Sequence, residues 1–347
     1  MFSKSLMLVF IILVMLTRVY GQEKQYQINA LAFYNLENLF DTEDDPFKND
    51  NQFTPTGSYR YSEEIYKKKL HNLAQVISQI AIDKVPEGPA FIGVAEIEND
   101  RVLYDLINQS ALKNRNYRFV HFDGPDYRSI DCALIYNPKY FRVLKASSLN
   151  VPIEEKGKKE LTRDVLYVTG ILTEDTIHVL VNHWPSRRGG EAATVWKRAQ
   201  AAKVNRKVVD SLMRINPHTK IVVMGDLNDD PISPSVAKTL GAEGNRNKVF
   251  PGGLFNPWLE FYKKGLGTLG YNDRWNLFDQ IIISYGFIQQ DAPKWRYYQS
   301  EIFNRKFMVS QFGRYKGYPH RSFSGNTWID GYSDHFPTIV YLIQEQE

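Results

Sequence analysis

Short apolar runs that begin or end in acid, amide or imidazole groups recur along this chain. Runs at 91–95, 117–122, 130–136, 165–172, 177–182, 221–224 and 278–284 have the length of strands, and Val, Ile and aromatic residues are frequent in them. Two longer stretches repeat at helical spacing instead. Residues 62–80 carry Ile65, Leu70, Leu73, Val76, Ile77 and Ile80 on one face behind Ser62, a residue suited to cap a helix N-terminus. His71 falls on the polar face of that helix. Residues 191–213 form the second helix, with Val195, Ala199, Val204 and Val208 in similar register. Strands and helices alternate without a compositional break, so one α/β domain over 22–347 is expected.

Chemistry concentrates where these runs stop. In the segment IVVMGDLNDDP at 221–231, four apolar residues predict a strand, Gly225 a sharp turn, and Asp226, Asn228 and Asp229 emerge at its exit. The apolar run 30–34 leads into Asn35, Glu37 and Asn38, and the run 91–95 into Glu96 and Glu98. Tyr332-Ser333-Asp334-His335-Phe336-Pro337 stands just before the apolar stretch 338–343. Alone, each is equally an Asp/Asn-rich turn. Together they supply carboxylates, amides and imidazoles that must converge in space to act.

Seven stretches, in order, resemble the endonuclease/exonuclease/phosphatase superfamily, the DNase I-like phosphoesterases: NLENLFD at 35–41, GVAEIEN at 93–99, RSIDCALIY at 128–136, NHWPSRRGG at 182–190, MGDLND at 224–229, FDQIIIS at 278–284 and SDHFP at 333–337. The resemblance implies a four-layered α/β sandwich, two packed mixed β-sheets flanked by helices. It implies hydrolysis of phosphodiester bonds with Mg²⁺ or Mn²⁺, a hard cation held by few carboxylates. Glu96 resembles the principal metal carboxylate, with Glu37 and Asp334 as further ligands. Asp226 would position the attacking water, His335 would share that role or stabilise the phosphorane, and Asp279 would orient His335. His183 would protonate the leaving oxygen. Asn228 joins this catalytic group, while Asn35, Arg187 and Arg128 would contact substrate. Ser129 stands where many relatives have glycine, Arg187 and Arg188 extend the histidine motif, and no tyrosine matches the phosphate-contacting one of some nucleases.

Charge and targeting signals refine this picture. Lys4, an apolar stretch over 6–16 and small residues at Val19 and Gly21 read as a signal peptide over 1–21, which places the mature protein outside the cell or in a periplasm. No later run is long enough to span a bilayer, so no stable membrane insertion is expected, and a monomer is the expected species. The net charge of +4 falls to +2 when Lys4 and Arg18 are removed, too little to imply a polyanion partner by itself. Within 303–325, however, Arg305, Lys306, Arg314, Lys316 and Arg321 stand with no acid among them, interleaved with Phe303, Phe307, Phe312, Tyr315, Tyr318 and Phe323. Such a segment suits nucleic acid, with cations on phosphates and rings on bases, and equally suits a solvated loop with packing aromatics. Nucleic acid is the favoured substrate. A phospholipid, sphingolipid or inositol phosphate is the alternative, and a non-catalytic binding protein of the same fold is a third reading. Cys132, the only cysteine, excludes an intramolecular disulfide and a thiolate zinc site and reads as a buried thiol. His121, His178, His218 and His320 are read as non-catalytic.

Overall fold

The computed structural model describes residues 25–271, 273–289 and 294–346; the signal-peptide segment at 1–21 lies outside the described residues. Two sheets carry the architecture. In chain order their strands are β1 (Tyr26–Leu39), β2 (Phe91–Ile97), β3 (Arg118–His121), β4 (Asp131–Tyr136), β5 (Phe141–Leu149), β6 (Val165–Leu172), β7 (Asp175–His183), β8 (Lys220–Asp226), β9 (Ala242–Glu243), β10 (Leu254–Phe255), β11 (Asp279–Ser284), β12 (Arg296–Ile302) and β13 (Thr338–Glu345). The first sheet has the order β12-β13-β1-β2-β4-β3 and the second β9-β10-β11-β8-β7-β6-β5. Each centres on a parallel pair, β1 with β2 and β7 with β8, flanked by antiparallel neighbours.

A parallel pair needs a crossover, and helices supply both. Helix α1 (Glu63–Gln79) lies between β1 and β2 in the chain, and α3 (Glu191–Ile215) between β7 and β8; α2 (Asp100–Ile107) follows β2. Ser62 caps α1, its side chain accepting from the Ile65 N–H at 3.3 Å. The layering follows from the period-two alternation of strands buried on both faces. Ala30, Ala32 and Tyr34 of β1 pack with Leu73 and Ile77 of α1, whereas Leu31 and Phe33 enter the core between the sheets. Val222 and Met224 of β8 face that same core, and Ile221 and Val223 turn to Ala202 and Val209 of α3. The result is helix, sheet, sheet, helix, as the family resemblance implied. At Gly93 a Cβ would stand 2.5 Å from the Met224 sulfur, so glycine there lets the two sheets approach.

One local expectation is corrected. Gly225 does not begin a turn, because β8 continues through Gly225 to Asp226. A Cβ on Gly225 would lie 2.2 Å from the Asn182 carbonyl oxygen of the neighbouring strand, which is what excludes a side chain. The turn comes later, at Asn228 with φ 48°. Ser129 takes φ 58°, so the serine keeps the left-handed backbone that glycine would favour. Cys132 lies in the inter-sheet core and burial raises its thiol pKa, consistent with a structural thiol. Among the described residues no helix is long and apolar enough to cross a membrane.

Candidate active site

The apolar stripe between the sheets ends at one edge in polar residues of the same parity. Along β1 the inter-sheet positions run Leu31, Phe33, Asn35; along β8, Val222, Met224, Asp226; along β7, Val179, Val181, His183; and along β11, Ile283, Ile281, Asp279. Strand register then sets the second sheet's three groups in a row, because Asp226 pairs with His183 on one side and with Asp279 on the other. The Asn35 amide bridges the two sheets, donating to Asp226 Oδ2 at 3.1 Å and Glu96 Oε1 at 3.3 Å. The row therefore becomes a centre only because the sheets pack face to face.

Glu96 and Glu37 are aimed by a bulge. Between β1 and β2 the register passes from Asn35 opposite Ala95 to Leu39 opposite Ile97, leaving three residues against Glu96 alone. Glu37, Asn38 and Glu96 take φ of 49°, 56° and 63° there, strain of about 1–3 kcal/mol each that the surrounding packing must sustain. The Asn38 N–H donates to Glu96 Oε2 at 2.9 Å. Glu98, two residues on, leaves this centre and accepts the Asp41 N–H at 2.7 Å; burial pushes its carboxyl up to about 9.

The loop before β13 supplies His335. Its Nδ1 lies 2.7 Å from Asp279 Oδ2, and its Nε2 lies 3.9 Å from Asp226 Oδ2 and 3.8 Å from Asp334 Oδ1. Burial opposes charge on His335, but the Asp279 carboxylate outweighs it and raises the imidazole well above its ordinary value. His183 behaves oppositely. Its Nε2 approaches Asp226 Oδ2 at 3.6 Å and Glu96 Oε1 at 3.7 Å, yet burial, helped by Arg163, Arg128 and His335, lowers it well below its ordinary value. Their surroundings thus push the two imidazoles in opposite directions. Burial, with Asp279 and Glu96 nearby, raises Asp226 to about 7 against the opposing pull of His335. Asp226, Asp279 and His335 bring possible ligand atoms within 4.8 Å of one another.

Glu37 and Asp334 form a flank bridged by Arg321, which lies 3.5 Å from Glu37 Oε1 and 3.0 Å from Asp334 Oδ2. The other Glu37 oxygen accepts the Ser322 N–H at 2.6 Å. Beneath them the Lys69 ammonium, fully buried, donates to the Glu37 carbonyl and to Ser322 Oγ, both at 2.7 Å. Burial and Asp334 raise Glu37 to about 7 despite Lys69 and Arg321. The sequence reading missed Lys69. Its signal was a lysine four residues after Ile65 and four before Leu73, inside the apolar stripe of α1.

The remaining expected site residues are held by the protein itself. Asn228 donates its amide to the Trp184 carbonyl at 2.9 Å, and its N–H donates to Asp226 Oδ1 at 2.9 Å. Arg187 reaches Asp229 at 3.1 Å, Asp230 at 3.3 Å and Glu191 at 3.0 Å, with its guanidinium 4.5 Å above the Phe278 ring. Arg128 rests 3.4 Å from Asp126, which also takes a buried Arg163 at 3.1 Å. Arg163 in turn donates to the backbone carbonyls of His183 and Trp184. A cavity of about 910 Å³ opens beside Asn228 and Phe278, lined also by Arg188, Tyr271, Arg274 and Asn276.

The sequence of the chain matches the endonuclease/exonuclease/phosphatase family over residues 30–344. The chain belongs to this family. Solved structures share its fold at low identity. An endonuclease/exonuclease/phosphatase family protein from Bacteroides thetaiotaomicron is 15% identical, with a TM-score of 0.55 over 93% of this chain and 100% of that one. A mannosyl-6-phosphatase from the same organism is 16% identical, with a TM-score of 0.54 over 90% and 99%. TDP2 of D. rerio, complexed with single-strand DNA product, is 13% identical, with a TM-score of 0.54 over 91% and 99%. No curated protein sequence matches the chain. At these identities the likenesses establish the fold, an α/β sandwich whose family members hydrolyse phosphoesters.

The cationic segment 303–325 is less free than its sequence suggests. Arg305 pairs with Asp83 and Glu301, Arg314 with Asp273, and Arg321 with the acid flank. Phe303 and Phe323 are buried, Phe307 packs on Tyr332 and Tyr318 on Trp275. Of the segment's five cations, Lys306 and Lys316 have no ion pair with a described residue, and Phe312 and Tyr315 are its exposed rings. His71 is exposed. His178 contacts Tyr167 and Thr169, and His218 contacts Gln289. His121, read as non-catalytic, has two carboxylates beside it.

Proposed function

We propose that this protein is a divalent-cation-dependent phosphoesterase acting on phosphodiester bonds of nucleic acid, exported by the apolar leader at 6–16. The observation that carries the reading is the convergence of Asn35, Glu96, His183, Asp226 and the Asp279–His335 pair at one edge of the facing sheets, with Asp226 between two imidazoles that its surroundings push in opposite directions. In a low-dielectric site this set separates the roles that phosphoryl transfer needs.

Asp226, whose carboxyl lies near 7, accepts a proton from the attacking water as the new P–O bond forms and the ester P–O bond breaks. His335, favoured in its protonated form by Asp279 at Nδ1, points Nε2 towards Asp226 and stabilises charge that develops on the phosphoryl oxygens. His183, which burial disposes to its neutral form, hydrogen-bonds the departing oxygen through Nε2, and that oxygen takes its proton from solvent as Asp226 releases the proton gained from the attacking water. Asn35 holds Asp226 and Glu96 in register. Asn228 and Arg187 brace the strand exits, and Arg128 acts on His183 through its charge.

A hard divalent cation fits the available donors. The Glu96 carboxylate is partly exposed and Asp334 a third exposed, and both offer oxygen. Glu37 is buried, with one oxygen on the Ser322 N–H and the other facing Arg321, so it supports the site from behind, and the more exposed Glu96 and Asp334 would hold the ion. Bound there, Mg²⁺ or Mn²⁺ would neutralise phosphate charge.

The cavity beside Asn228 is sized for a nucleotide, with Arg188 and Arg274 for phosphate and Tyr271 for a base. A second reading, a small sugar or inositol phosphomonoester, is favoured by the internal pairing of Arg305, Arg314 and Arg321, which withdraws three cations from a long polyanion. Rates on single-stranded DNA, RNA, sphingomyelin vesicles, a hexose phosphate and a generic phosphodiester, with and without EDTA, separate these. Turnover of the hexose phosphate alone would overturn the nucleic-acid assignment, and turnover of none would overturn the enzyme reading.

A further inference from the structure

We infer that His121, Asp123 and Asp131 form a second cation site, separate from the active centre, that takes a first-row divalent metal such as Zn²⁺. The three residues bring one ligand atom each within 4.8 Å of one another. They come from the end of β3, the loop after it and the start of β4, so the hairpin geometry itself gathers them.

The histidine supplies the independent observation. Its side chain is only 1% exposed, yet Nε2 has no hydrogen-bond partner. The nearest acceptor, Asp131 Oδ2, lies at 3.6 Å, too far for a hydrogen bond and suited to two ligands of one ion. The opposite ring nitrogen, Nδ1, lies 2.7 Å from Asp100 Oδ1 at the first turn of α2. A carboxylate at Nδ1 orients the ring with Nε2 towards Asp131, the arrangement in which protein imidazoles bind metals as Nε2 gives up its proton to the incoming ion. Asp131 is oriented in turn, because its Oδ2 accepts the Gly124 N–H at 3.0 Å. Asp123 is exposed and gives the site access to solvent. One imidazole nitrogen with carboxylate oxygens suits Zn²⁺ or Mn²⁺ better than Mg²⁺ or Ca²⁺, which prefer oxygen alone.

The position gives the site a consequence. The loop 122–130 that an ion would tie to β3 and α2 also carries Asp126 and Arg128. Asp126 holds Arg163, which binds the carbonyls of His183 and Trp184, and the Arg128 charge acts on His183. Filling the site would fix the segment that positions one catalytic imidazole.

The test counts zinc on the folded full chain by equilibrium dialysis and elemental analysis, for the wild type, His121→Gln, Asp123→Asn and Asp100→Asn. Asp123 and Asp100 are exposed, so those two variants report even where His121→Gln destabilises the hairpin. One tightly held zinc should be lost in His121→Gln and in Asp123→Asn, and Asp100→Asn should weaken it about 10–100-fold, the usual effect of removing a ligand's orienting partner. The ion should persist in Glu96→Gln/His335→Gln, which separates it from the active centre. Equal stoichiometry and affinity in the wild type, Asp123→Asn and Asp100→Asn, or loss of the zinc only in the active-centre variant, would overturn the proposal.

Discussion

Replacing Asp279 with asparagine isolates the feature on which the acid–base assignment depends. The substitution keeps shape and removes the charge 2.7 Å from His335 Nδ1. At an effective dielectric of about 20, unit charges at that separation attract by roughly 6 kcal/mol. At about 1.4 kcal/mol per decade of rate, that bounds the loss near four decades, and relaxation of the site places the expected fall in kcat at about 10³–10⁴-fold. The pH profile gives the sharper signature. Burial alone lowers an imidazole, so without Asp279 the His335 proton is lost at lower pH and the alkaline limb of kcat moves towards acid. The assay is kcat against pH on a generic phosphodiester with Mg²⁺ present, with circular dichroism to confirm the fold. An Asp279→Asn enzyme that keeps more than a tenth of the wild-type rate and an unchanged alkaline limb would show that Asp279 does not set the charge of His335.

Other perturbations follow from the same contacts. Lys69→Met removes the buried ammonium opposite Glu37 and should cost about 3–5 kcal/mol in urea unfolding, while a loss below 1 kcal/mol would show the charge to be dispensable. Glu37, raised to about 7 by burial, binds more protons folded than unfolded between about pH 4 and 7. The metal-free wild type should therefore lose stability relative to Glu37→Gln as pH rises through that window, and a difference that is flat or grows would contradict it. Arg305→Ala/Arg314→Ala should leave the salt dependence of DNA cleavage nearly unchanged, because both cations already have acidic partners; a slope flattened by roughly two units would return them to the nucleic-acid surface.

The strands and helices were legible because both faces of the central strands are buried, which writes continuous apolar runs into the sequence. Residues 221–224 and 278–284 predicted β8 and β11, and Ser62 marked the start of α1 to the residue. Convergence of the site was legible only through the family motifs, although the parity of Leu31, Phe33 and Asn35 against Val222, Met224 and Asp226 encodes it once two facing sheets are assumed. Partnership was not legible. The partners of Arg321, Arg305 and Arg187 lie in remote or folded-back segments, so cations that look available in a linear reading are already neutralised. Lys69 was hidden because a lysine in a helix reads as solvated unless its apolar neighbours at four-residue spacing are counted. Gly225 was misread because close packing between strands and a turn select the same residue.

Asp226, His335 and a cation held at Glu96 should hydrolyse phosphoesters as one unit. The most direct measurement is turnover of a generic phosphodiester by the wild type, Asp226→Ala, His335→Ala and the double variant, each in EDTA and after addition of Mg²⁺ or Mn²⁺. Activity should vanish in chelator and return with either ion. Each single variant should lose several orders of magnitude, and the double should be little worse than either, as expected of residues that act together. Full wild-type activity in EDTA, or a single variant close to the wild-type rate, would contradict the account.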